Sequence, residues 1–393
     1  MDFTNANCLV DGYFQARKVS GWKWSTQKYG LNLLKNTYEI QKSLRNDTYK
    51  SDEQTVFRIC EQGHLRVVKA PTIKDTAVHH AVANNVMLPA FVPHMIHDSG
   101  ASLKGKGISF TRRRFEQHLA WHYRRYGTKG YALKLDFRKY FDNLRHDVLR
   151  DIMGNYISDK HALHVINEFL RINRVDVSYS SDANIIDDVF SAIEYAKIDP
   201  KLLTKERYME KSLGIGSVIS QAFGIFTPSR IDTYCKTVKG IHCYDAYMDD
   251  RIIIHPSKEY LTKLLHEIEC IAAQYGLHVH KKKTQIIKLS HGFTFLKTKY
   301  LLTPSGKIIR RVPRDVVVRQ RRRMKKLARF VVDGTMSIYA FKNQYRAWRG
   351  DLKRKYQCYH TVKNMDKLYK ELIQWITKMN RWQNKGNASQ SST

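Results

Sequence analysis

The chain has 393 residues, of which 42% are hydrophobic, so it is long enough for two or three folded units and too apolar to be disordered. Its 68 lysines and arginines face only 36 acidic residues, and the net charge of +32 predicts a polyanionic partner, with nucleic acid favoured over a membrane surface. The sequence shows no apolar run of membrane-spanning length and no basic amphipathic anchor, which predicts no membrane association. Its six cysteines are widely spaced, which argues against a disulfide framework or zinc ribbon and indicates a cytoplasmic protein.

The N-terminal part of the chain contains a predicted helix and a predicted hairpin. Leu31, Leu34, Tyr38, Ile40 and Leu44 recur near helical spacing and predict a helix within residues 25–44. Two runs rich in β-branched residues flank Gln62 and Gly63 and predict a pair of strands, residues 56–60 and 65–69. Basic side chains on that hairpin could contact phosphates or form a solvated face.

A helix led by Asp75 follows, and it carries the adjacent pair His79 and His80. Adjacent helical positions face different ways, so the pair is not expected to bind zinc. The basic loop at residues 100–107 contains glycines but lacks the Lys-Ser/Thr pair of a nucleotide-binding phosphate loop. It opens an arginine-rich helix predicted at residues 110–126.

Three carboxylates lie at the ends of predicted strands. An apolar-alternating strand beginning at Tyr131 ends at Asp136, and a hairpin is predicted with Asp249 and Asp250 at its tip. Aspartate is a common turn former and helix cap, so each acid has a purely structural interpretation. If the strands are neighbours in one sheet, however, Asp136 and Asp249 could come close enough to share two metal ions.

The segments between and after these acids are predicted less specifically. Residues 158–173 are expected to be helical, and residues 176–211 have no functional interpretation. A loop of small residues at 214–221 opens a helix predicted to run to residue 236, and its glycines would allow close approach of a ligand or of another helix. A helix at 259–275 and strands at 279–287 and 293–296 are predicted to follow.

The densest positive charge lies near the C-terminus. Residues 307–329 contain eleven basic residues and one acid, Asp315, and overlap a helix predicted at 314–331. A solvated helix of this charge would repel itself, so a phosphate backbone is the better interpretation. The residues expected to bind nucleic acid are Arg310, Arg311, Arg314, Arg319, Arg321, Arg322, Arg323, Lys325 and Lys326. Two packed helices are predicted after it, near 337–349 and 364–381.

These segments, taken together, resemble a reverse transcriptase of bacterial or phage type. Residues 135–142, 214–221 and 247–250 are similar to the first three palm motifs of that family, in the family's order. The resemblance implies an α+β right-hand polymerase with a ferredoxin-like palm, which is an antiparallel sheet plus helices, and a helical thumb. Its domains would be fingers at 1–130, a palm at 131–300 with an insertion at 176–211, a thumb at 301–382 and a disordered tail at 383–393.

The second motif narrows the resemblance. Most relatives have Gln-Gly near its start and Ser-Pro at its end, where this chain has Ile215-Gly216 and Ser220-Gln221. That variant resembles the enzymes of diversity-generating retroelements, which copy a template-repeat RNA with errors at adenines and work with a small basic accessory protein. The alternative is an anti-phage defence reverse transcriptase that makes cDNA from its own partner non-coding RNA. A homo-oligomer is a further possibility under either reading.

The resemblance also implies roles for individual residues. Asp136, Asp249 and Asp250, with the backbone carbonyl of Phe137, would hold two Mg²⁺ ions, for which Mn²⁺ could substitute. Lys283 would protonate the leaving pyrophosphate, and Phe141 would exclude a ribose 2′-hydroxyl. The remaining contacts to the incoming dNTP are assigned to Arg66, Lys69, Lys74, Phe137, Ile215, Gly216 and Gln221. Partners would be template RNA, cDNA and the RNA–DNA hybrid.

Two other classes remain open from the residues alone. A non-catalytic RNA-binding module would explain the charge without any dNTP incorporation. A nuclease could also use paired carboxylates and two metals, but it would need neither the small-residue loop nor an aromatic residue after the first acid.

Overall fold

The computed structural model describes residues 2–61, 64–176 and 208–390, with the backbone alone at 61, 64–65, 176 and 383–390. The chain separates into two compact units. The first consists of residues 1–118 and 133–286, and the second of residues 119–132 and 287–393. Most of the predicted insertion, residues 177–207, lies outside the described residues. Its flanks are joined by a short antiparallel pair, β4 (Val175–Asp176) and β5 (Tyr208–Met209).

The first unit begins with three helices, α1 (Ala6–Ser20), α2 (Trp24–Leu31) and α3 (Leu33–Arg45). The single helix predicted within residues 25–44 is therefore interrupted at Asn32. Of the five apolar residues at the predicted spacing, Ile40 and Leu44 are buried, whereas Leu31, Leu34 and Tyr38 are exposed. Helical spacing brings Thr37, Ile40 and Leu44 together on the buried side of α3.

The predicted N-terminal hairpin is confirmed. β1 (Thr55–Glu61) and β2 (His64–Ala70) pair antiparallel, with Val56 opposite Lys69. Next come α4 (Ile73–Val82), a π-helical turn (Ala83–Met87), α5 (Leu88–Phe91) and a 3₁₀ turn (Val92–His94). The Asp75 carboxylate at the start of α4 accepts a hydrogen bond of 2.6 Å from the Tyr49 hydroxyl, so this acid is part of the helix packing.

A four-stranded sheet carries the two acidic segments. Its strands are β3 (Tyr131–Leu135), β6 (Tyr244–Tyr247), β7 (Asp250–His255) and β8 (Gln285–Lys288), in the order β6-β7-β3-β8. β7 and β3 are neighbours, although they are more than a hundred residues apart in the chain. The side chains of Leu133, Leu135, Ile252 and Ile253 are buried along these strands, which anchors the two central strands in the core.

Helices lie before, between and after the strands of this sheet in the sequence. Their bounds are α6 (Ile108–Tyr126), α7 (Tyr140–Asn143), α8 (His146–Tyr156), α9 (Lys160–Asn173), α10 (Val218–Phe226), α11 (Ser229–Thr233), a π turn (Tyr234–Val238) and α12 (Lys258–Gln274). Phe91 stacks on Phe226 with ring centroids 4.2 Å apart, so α5 and α10 share an aromatic core.

The second unit contains a small sheet and three long helices. After a 3₁₀ turn (Leu289–His291), β9 (Phe293–Phe295), β10 (Thr298–Leu302) and β11 (Ile308–Arg311) form an antiparallel sheet in the order β11-β10-β9. The helices are α13 (Arg314–Val332), α14 (Ile338–Lys355) and α15 (Tyr359–Gln390). Met324, Ala328, Phe341, Tyr345 and Met365 form their shared core.

The three helices predicted after residue 313 are confirmed. Tyr345, Trp348 and Tyr369 pack in or against the helical core, whereas Trp375 is 37% exposed. The backbone of α15 runs to Gln390, and the side chains of the predicted disordered tail lie outside the description. None of the helices in the described ranges is long and apolar enough to span a membrane.

Candidate active site

The acidic hairpin forms as the sequence predicts. β6 and β7 pair with Tyr247 opposite Asp250, so Met248 and Asp249 make a two-residue turn. Met248 has a left-handed backbone conformation with φ 54°, the kind of geometry that tight hairpin turns require. Asp249 therefore lies at the tip and Asp250 at the start of β7, with both side chains partly buried.

The backbone of Asp136 is held by the segment before β8. Its carbonyl accepts a 2.8 Å hydrogen bond from the His280 amide, and its own amide donates to Thr284 Oγ1 at 3.3 Å. The carboxylate is 13% exposed, and its buried Oδ1 has no hydrogen-bond partner. A buried carboxylate oxygen without a donor is costly, and a divalent cation would satisfy it.

The three acids act on one another electrostatically. Burial raises the pKa of Asp249, and the charge of Asp136 raises it further. Burial, together with the charges of Asp249 and Asp136, raises the pKa of Asp250 to about 6. This mutual repulsion is what bound cations would relieve, so the donor set fits hard divalent metal ions.

Lys283 lies on a turn, where a strand was predicted. The strand expected at 279–287 was wrong, because β8 begins only at Gln285 and Val279 makes an isolated bridge with Phe137. The amides of Lys283 and Thr284 both donate to the His280 carbonyl, which closes a turn against Asp136. The turn leaves Lys283 exposed, with its Nζ 3.6 Å from Asp136 Oδ1.

Phe141 lies beside the acidic hairpin. A Cβ built on Gly224 would come within 2.9 Å of Phe141 Cε1 and 3.6 Å of Met248 Sδ, so ring, glycine and thioether meet at one place. The Phe141 side chain is half-buried on the short helix α7. The structure thus brings the predicted sugar gate next to the turn that carries Asp249.

The small-residue loop lies against the N-terminal hairpin. Gly214 and Gly216 have φ values of 63° and 130°, and a Cβ on Gly216 would lie 3.5 Å from the Lys69 carbonyl oxygen. Ile215, between them, is half-buried. Burial lowers the pKa of Lys69, while the charge of Asp142 raises it. Lys69, Ile215 and Gly216 are therefore brought together.

The other residues predicted to contact the dNTP, Lys74, Arg66 and Gln221, each have a different environment. Lys74 is ion-paired with Asp52 and donates to the Lys50 carbonyl, so a carboxylate holds its ammonium group. Arg66 is exposed on β2. Gln221 is exposed on α10 and accepts a 3.4 Å hydrogen bond from Ser102 of the glycine-bearing basic loop.

Sequence reasoning missed Arg251, the residue after the acidic pair. Its side chain is only 2% exposed and pairs with Asp232 at 3.1 Å. The guanidinium also donates to the Met248 carbonyl and lies 5.4 Å from the centroid of the Phe137 ring. The sequence signal for Arg251 was a charged residue directly before the apolar run 252–254. A charge that is buried together with such a run needs a partner.

A second acidic cluster is explained by ion pairs. Asp98, His118 and Asp245 are buried, with ligand atoms within 4.8 Å of one another, a spacing that could hold a metal. Arg114 and Lys236 already lie 2.7 and 2.9 Å from the Asp98 oxygens, and His118 contacts Asp245 at 2.8 Å. Within the described ranges no other group of three metal-ligating side chains is so compact, and the three acids of the hairpin and β3 are coupled through charge over a wider spacing.

The first of the paired histidines, His79, lies in the protein core. His79 is buried, and its Nδ1 lies 3.1 Å from Ser217 Oγ. Its ring meets Phe169 edge-on. Burial lowers the pKa of His79 to about 3, so the ring is neutral at physiological pH. His79 therefore serves in packing against the second-motif loop.

The basic helix α13 has the exposure expected of a nucleic-acid surface. Met324, Ala328 and Val331 turn its apolar side into the helical core. Most of the predicted nucleic-acid contacts lie on its exposed side, namely Arg314, Arg319, Arg321, Arg322, Arg323, Lys325 and Lys326. Arg310 and Arg311 lie on the preceding strand β11.

Comparison with protein families defines the class. The model of the reverse transcriptase (RNA-dependent DNA polymerase) family matches residues 50–300, which include both hairpins, Asp136 and the second-motif loop. The chain therefore belongs to the reverse transcriptase family, whose members are nucleotidyltransferases. The predicted α+β class, with helices and antiparallel sheets of the right-hand polymerase kind, is confirmed. Reverse transcriptase domains generally use divalent metal ions.

Similar solved structures include telomerases. Telomerase from Candida albicans, in complex with a TWJ fragment of telomeric RNA, is 14% identical and has a TM-score of 0.44, covering 86% of this chain and 60% of that one. Apo telomerase from Candida tropicalis is 12% identical with a TM-score of 0.44, covering 66% of this chain and 47% of that one. The present chain thus spans less than two thirds of the length of either. No curated protein matches.

Proposed function

We propose that this chain is an RNA-directed DNA polymerase that copies a specific RNA into cDNA by two-metal nucleotidyl transfer. The observation that carries the proposal is the electrostatic coupling of Asp136, which follows β3, with Asp249 and Asp250 at the start of the neighbouring strand β7. The buried Oδ1 of Asp136, which accepts no hydrogen bond, supports it. Membership of the reverse transcriptase family supplies the class of reaction.

The acids would hold two Mg²⁺ ions, with the Phe137 carbonyl as a further ligand. When bound, these ions activate the primer 3′-hydroxyl and stabilise the negative charge on the triphosphate. Asp136 would be a ligand through the oxygen that has no hydrogen-bond donor. Lys283, exposed and 3.6 Å from that oxygen, is suited to give a proton to the leaving pyrophosphate.

The incoming nucleotide would lie between the second-motif loop and the N-terminal hairpin. Lys69 and Arg66 supply positive charge for the triphosphate, and Phe141 supplies the steric barrier to a 2′-hydroxyl. Residues 1–130, 131–300 and 301–382 would act as fingers, palm and thumb. The exposed arginines and lysines of α13 would then grip the phosphate backbone of the hybrid.

The biological role we favour is copying in a diversity-generating retroelement, with errors at template adenines. Its basis is the apolar Ile215 in the second motif, which cannot offer an amide to the incoming nucleotide. A small basic accessory protein would be the expected partner of such an enzyme. The anti-phage defence role predicts the same chemistry on a different RNA.

The direct test is Mg²⁺-dependent dNTP incorporation on primed RNA. Asp249→Asn is expected to abolish incorporation and leave RNA binding unchanged, because it removes a metal ligand and no positive charge. Asp151→Asn is the matched control, since it makes the same charge change at an exposed position of α8. Incorporation retained by Asp249→Asn would mean that a different acid is catalytic, and degradation of RNA without dNTPs would indicate a nuclease.

A further inference from the structure

The N-terminal helices carry large apolar side chains on their outer surface. Trp22, Trp24 and Tyr38 are 77%, 70% and 66% exposed, and Leu31 and Leu34 are each 79% exposed. We call these five residues the N-terminal aromatic face. Isolated exposed leucines are ordinary, but a run of three aromatic rings and two leucines within 17 residues indicates a binding surface.

On α2 and α3, helical spacing places the exposed apolar residues on the same side as lysines. On α2, Trp24, Lys28 and Leu31 recur at the i, i+4, i+7 positions of one helix side. On α3, Leu34 and Tyr38 are separated by one turn, and Lys35 and Lys42 are exposed alongside. The buried sides of the two helices are elsewhere, at Thr26 on α2 and at Thr37, Ile40 and Leu44 on α3.

The charge of this region identifies the kind of partner. Residues 12–42 contain one acid, Glu39, against the basic residues Arg17, Lys18, Lys23, Lys28, Lys35 and Lys42. The Lys23 Nζ lies 5.8 Å from the centroid of the Trp22 ring, so cation and aromatic surface are already adjacent. A second copy of the chain would bring like charges together, and protein interfaces are depleted of lysine at their centres.

We propose that the N-terminal aromatic face binds single-stranded RNA. Bases would stack on Trp22, Trp24 and Tyr38, and the interleaved lysines would neutralise the phosphates. Single-strand binding surfaces combine these two features, because stacking accepts any base and lysine follows the backbone. Duplex RNA keeps its bases stacked on each other, which leaves flat rings little to contact.

This surface is separate from the catalytic acids and from α13 in the chain. Through this surface the enzyme would bind unpaired RNA outside the RNA–DNA hybrid that it extends. RNA binding at this face does not depend on dNTP incorporation, so the two properties can be measured separately.

The test uses the full chain and a fluorescein-labelled, unstructured RNA of CAA repeats, about 20 nucleotides long to span several stacking sites. Fluorescence anisotropy is measured in the Arg321→Gln/Arg322→Gln/Arg323→Gln background, which weakens binding by α13. In that background, Trp22→Ala/Trp24→Ala/Tyr38→Ala is expected to raise the Kd by about tenfold or more, because each stacked base contributes substantially. Replacing the same residues by phenylalanine should restore most of the affinity.

Two comparisons complete the test. Leu31→Ala/Leu34→Ala removes exposed apolar area but no aromatic ring, so it should change the Kd less than about twofold. An equal or larger effect there would overturn the stacking proposal and indicate apolar docking of a protein. An unchanged Kd in the triple alanine variant would overturn it too. So would loss of binding to phosphatidylglycerol vesicles with RNA affinity intact, which would assign the face to a membrane surface.

Discussion

The guanidinium of Arg251 lies 3.1 Å from the Asp232 carboxylate inside the protein, one residue beyond the acidic pair of the hairpin. The same carboxylate accepts a hydrogen bond from the Tyr244 hydroxyl at 2.5 Å. Arg251 also donates to the Met248 carbonyl and faces the Phe137 ring. One buried charge therefore contacts both chain segments that carry the acids, next to Asp249 on one side and next to Asp136 on the other.

Breaking this ion pair should destabilise the protein. Asp232→Leu would leave the Arg251 charge buried without its carboxylate, which typically costs about 3–5 kcal/mol of unfolding free energy. The double variant Asp232→Leu/Arg251→Met should lose less than the sum of the single variants, because no buried charge remains unpaired. Urea unfolding followed by circular dichroism measures each value. Strictly additive losses would show that the two residues are not coupled.

Phe141→Ala should admit ribonucleotides. Removing the ring opens space beside Met248, so incorporation of rNTPs relative to dNTPs is expected to rise by about tenfold or more, a change of roughly 1.4 kcal/mol in discrimination. Primer extension with each nucleotide class measures the ratio. An unchanged ratio would mean that another residue excludes the 2′-hydroxyl.

The position of that ring can be tested without removing it. Gly224→Ala places a Cβ within 2.9 Å of Phe141 Cε1, so the ring must shift and the efficiency of dNTP incorporation should fall. Gly154→Ala on α8 is the matched control, because nothing lies within 4 Å of its Cβ position. The control should keep full activity and gain slight stability, as alanine is the better helix former by about 1 kcal/mol. Equal activities would place the ring away from the nucleotide.

Ile215→Gln should lower the error frequency at template adenines. The added amide can hydrogen-bond near the incoming nucleotide, whereas isoleucine offers no polar group. Ile215→Leu is the control, since it keeps the apolar character and a similar volume. Sequencing of the cDNA made by each variant gives the error spectrum, and unchanged errors with Ile215→Gln would remove this explanation of low fidelity.

The Asp98 cluster predicts a specific loss of stability in acid. Burial raises the pKa of Asp98, but hydrogen bonds from Arg114 and Lys236 outweigh it and lower the pKa to about 2. His97 and His118 also approach this carboxylate, and Asp245 binds His118 from β6. The unfolded-state pKa is near 3.8, so the stabilisation is fully present above about pH 4 and is lost as pH falls towards 2.

Asp98→Asn should remove this dependence. The difference in pKa corresponds to about 2 kcal/mol, which the variant should lack at neutral pH. Its unfolding free energy should then fall less steeply than that of the natural chain between about pH 4 and pH 2. Unfolding titrations at several pH values measure both slopes. Parallel slopes would mean that other acids account for the acid sensitivity.

The local sequence predicted the elements that carry the site. Alternating apolar residues before Asp136, and β-branched runs around residues 247–250, were sufficient for the strands and the acidic turn, because those patterns depend on the pleat alone. The apolar spacing within residues 25–44 was confirmed only at Ile40 and Leu44. Helical spacing identifies which side chains share a helix face, but not whether another element covers that face, and Leu31, Leu34 and Tyr38 are exposed.

Tertiary structure decided what no local pattern contains. The order β6-β7-β3-β8 makes the strands of Asp136 and Asp249 neighbours across more than a hundred residues. The turn at 280–284 depends on hydrogen bonds to Asp136, and the ion pair of Arg251 depends on Asp232 from another element. The sequence determined the two hairpins, the acidic turn and the charges of this protein, since these follow from neighbouring residues. Which charges meet was decided by packing, since burial and partner distance arise only when distant segments come together.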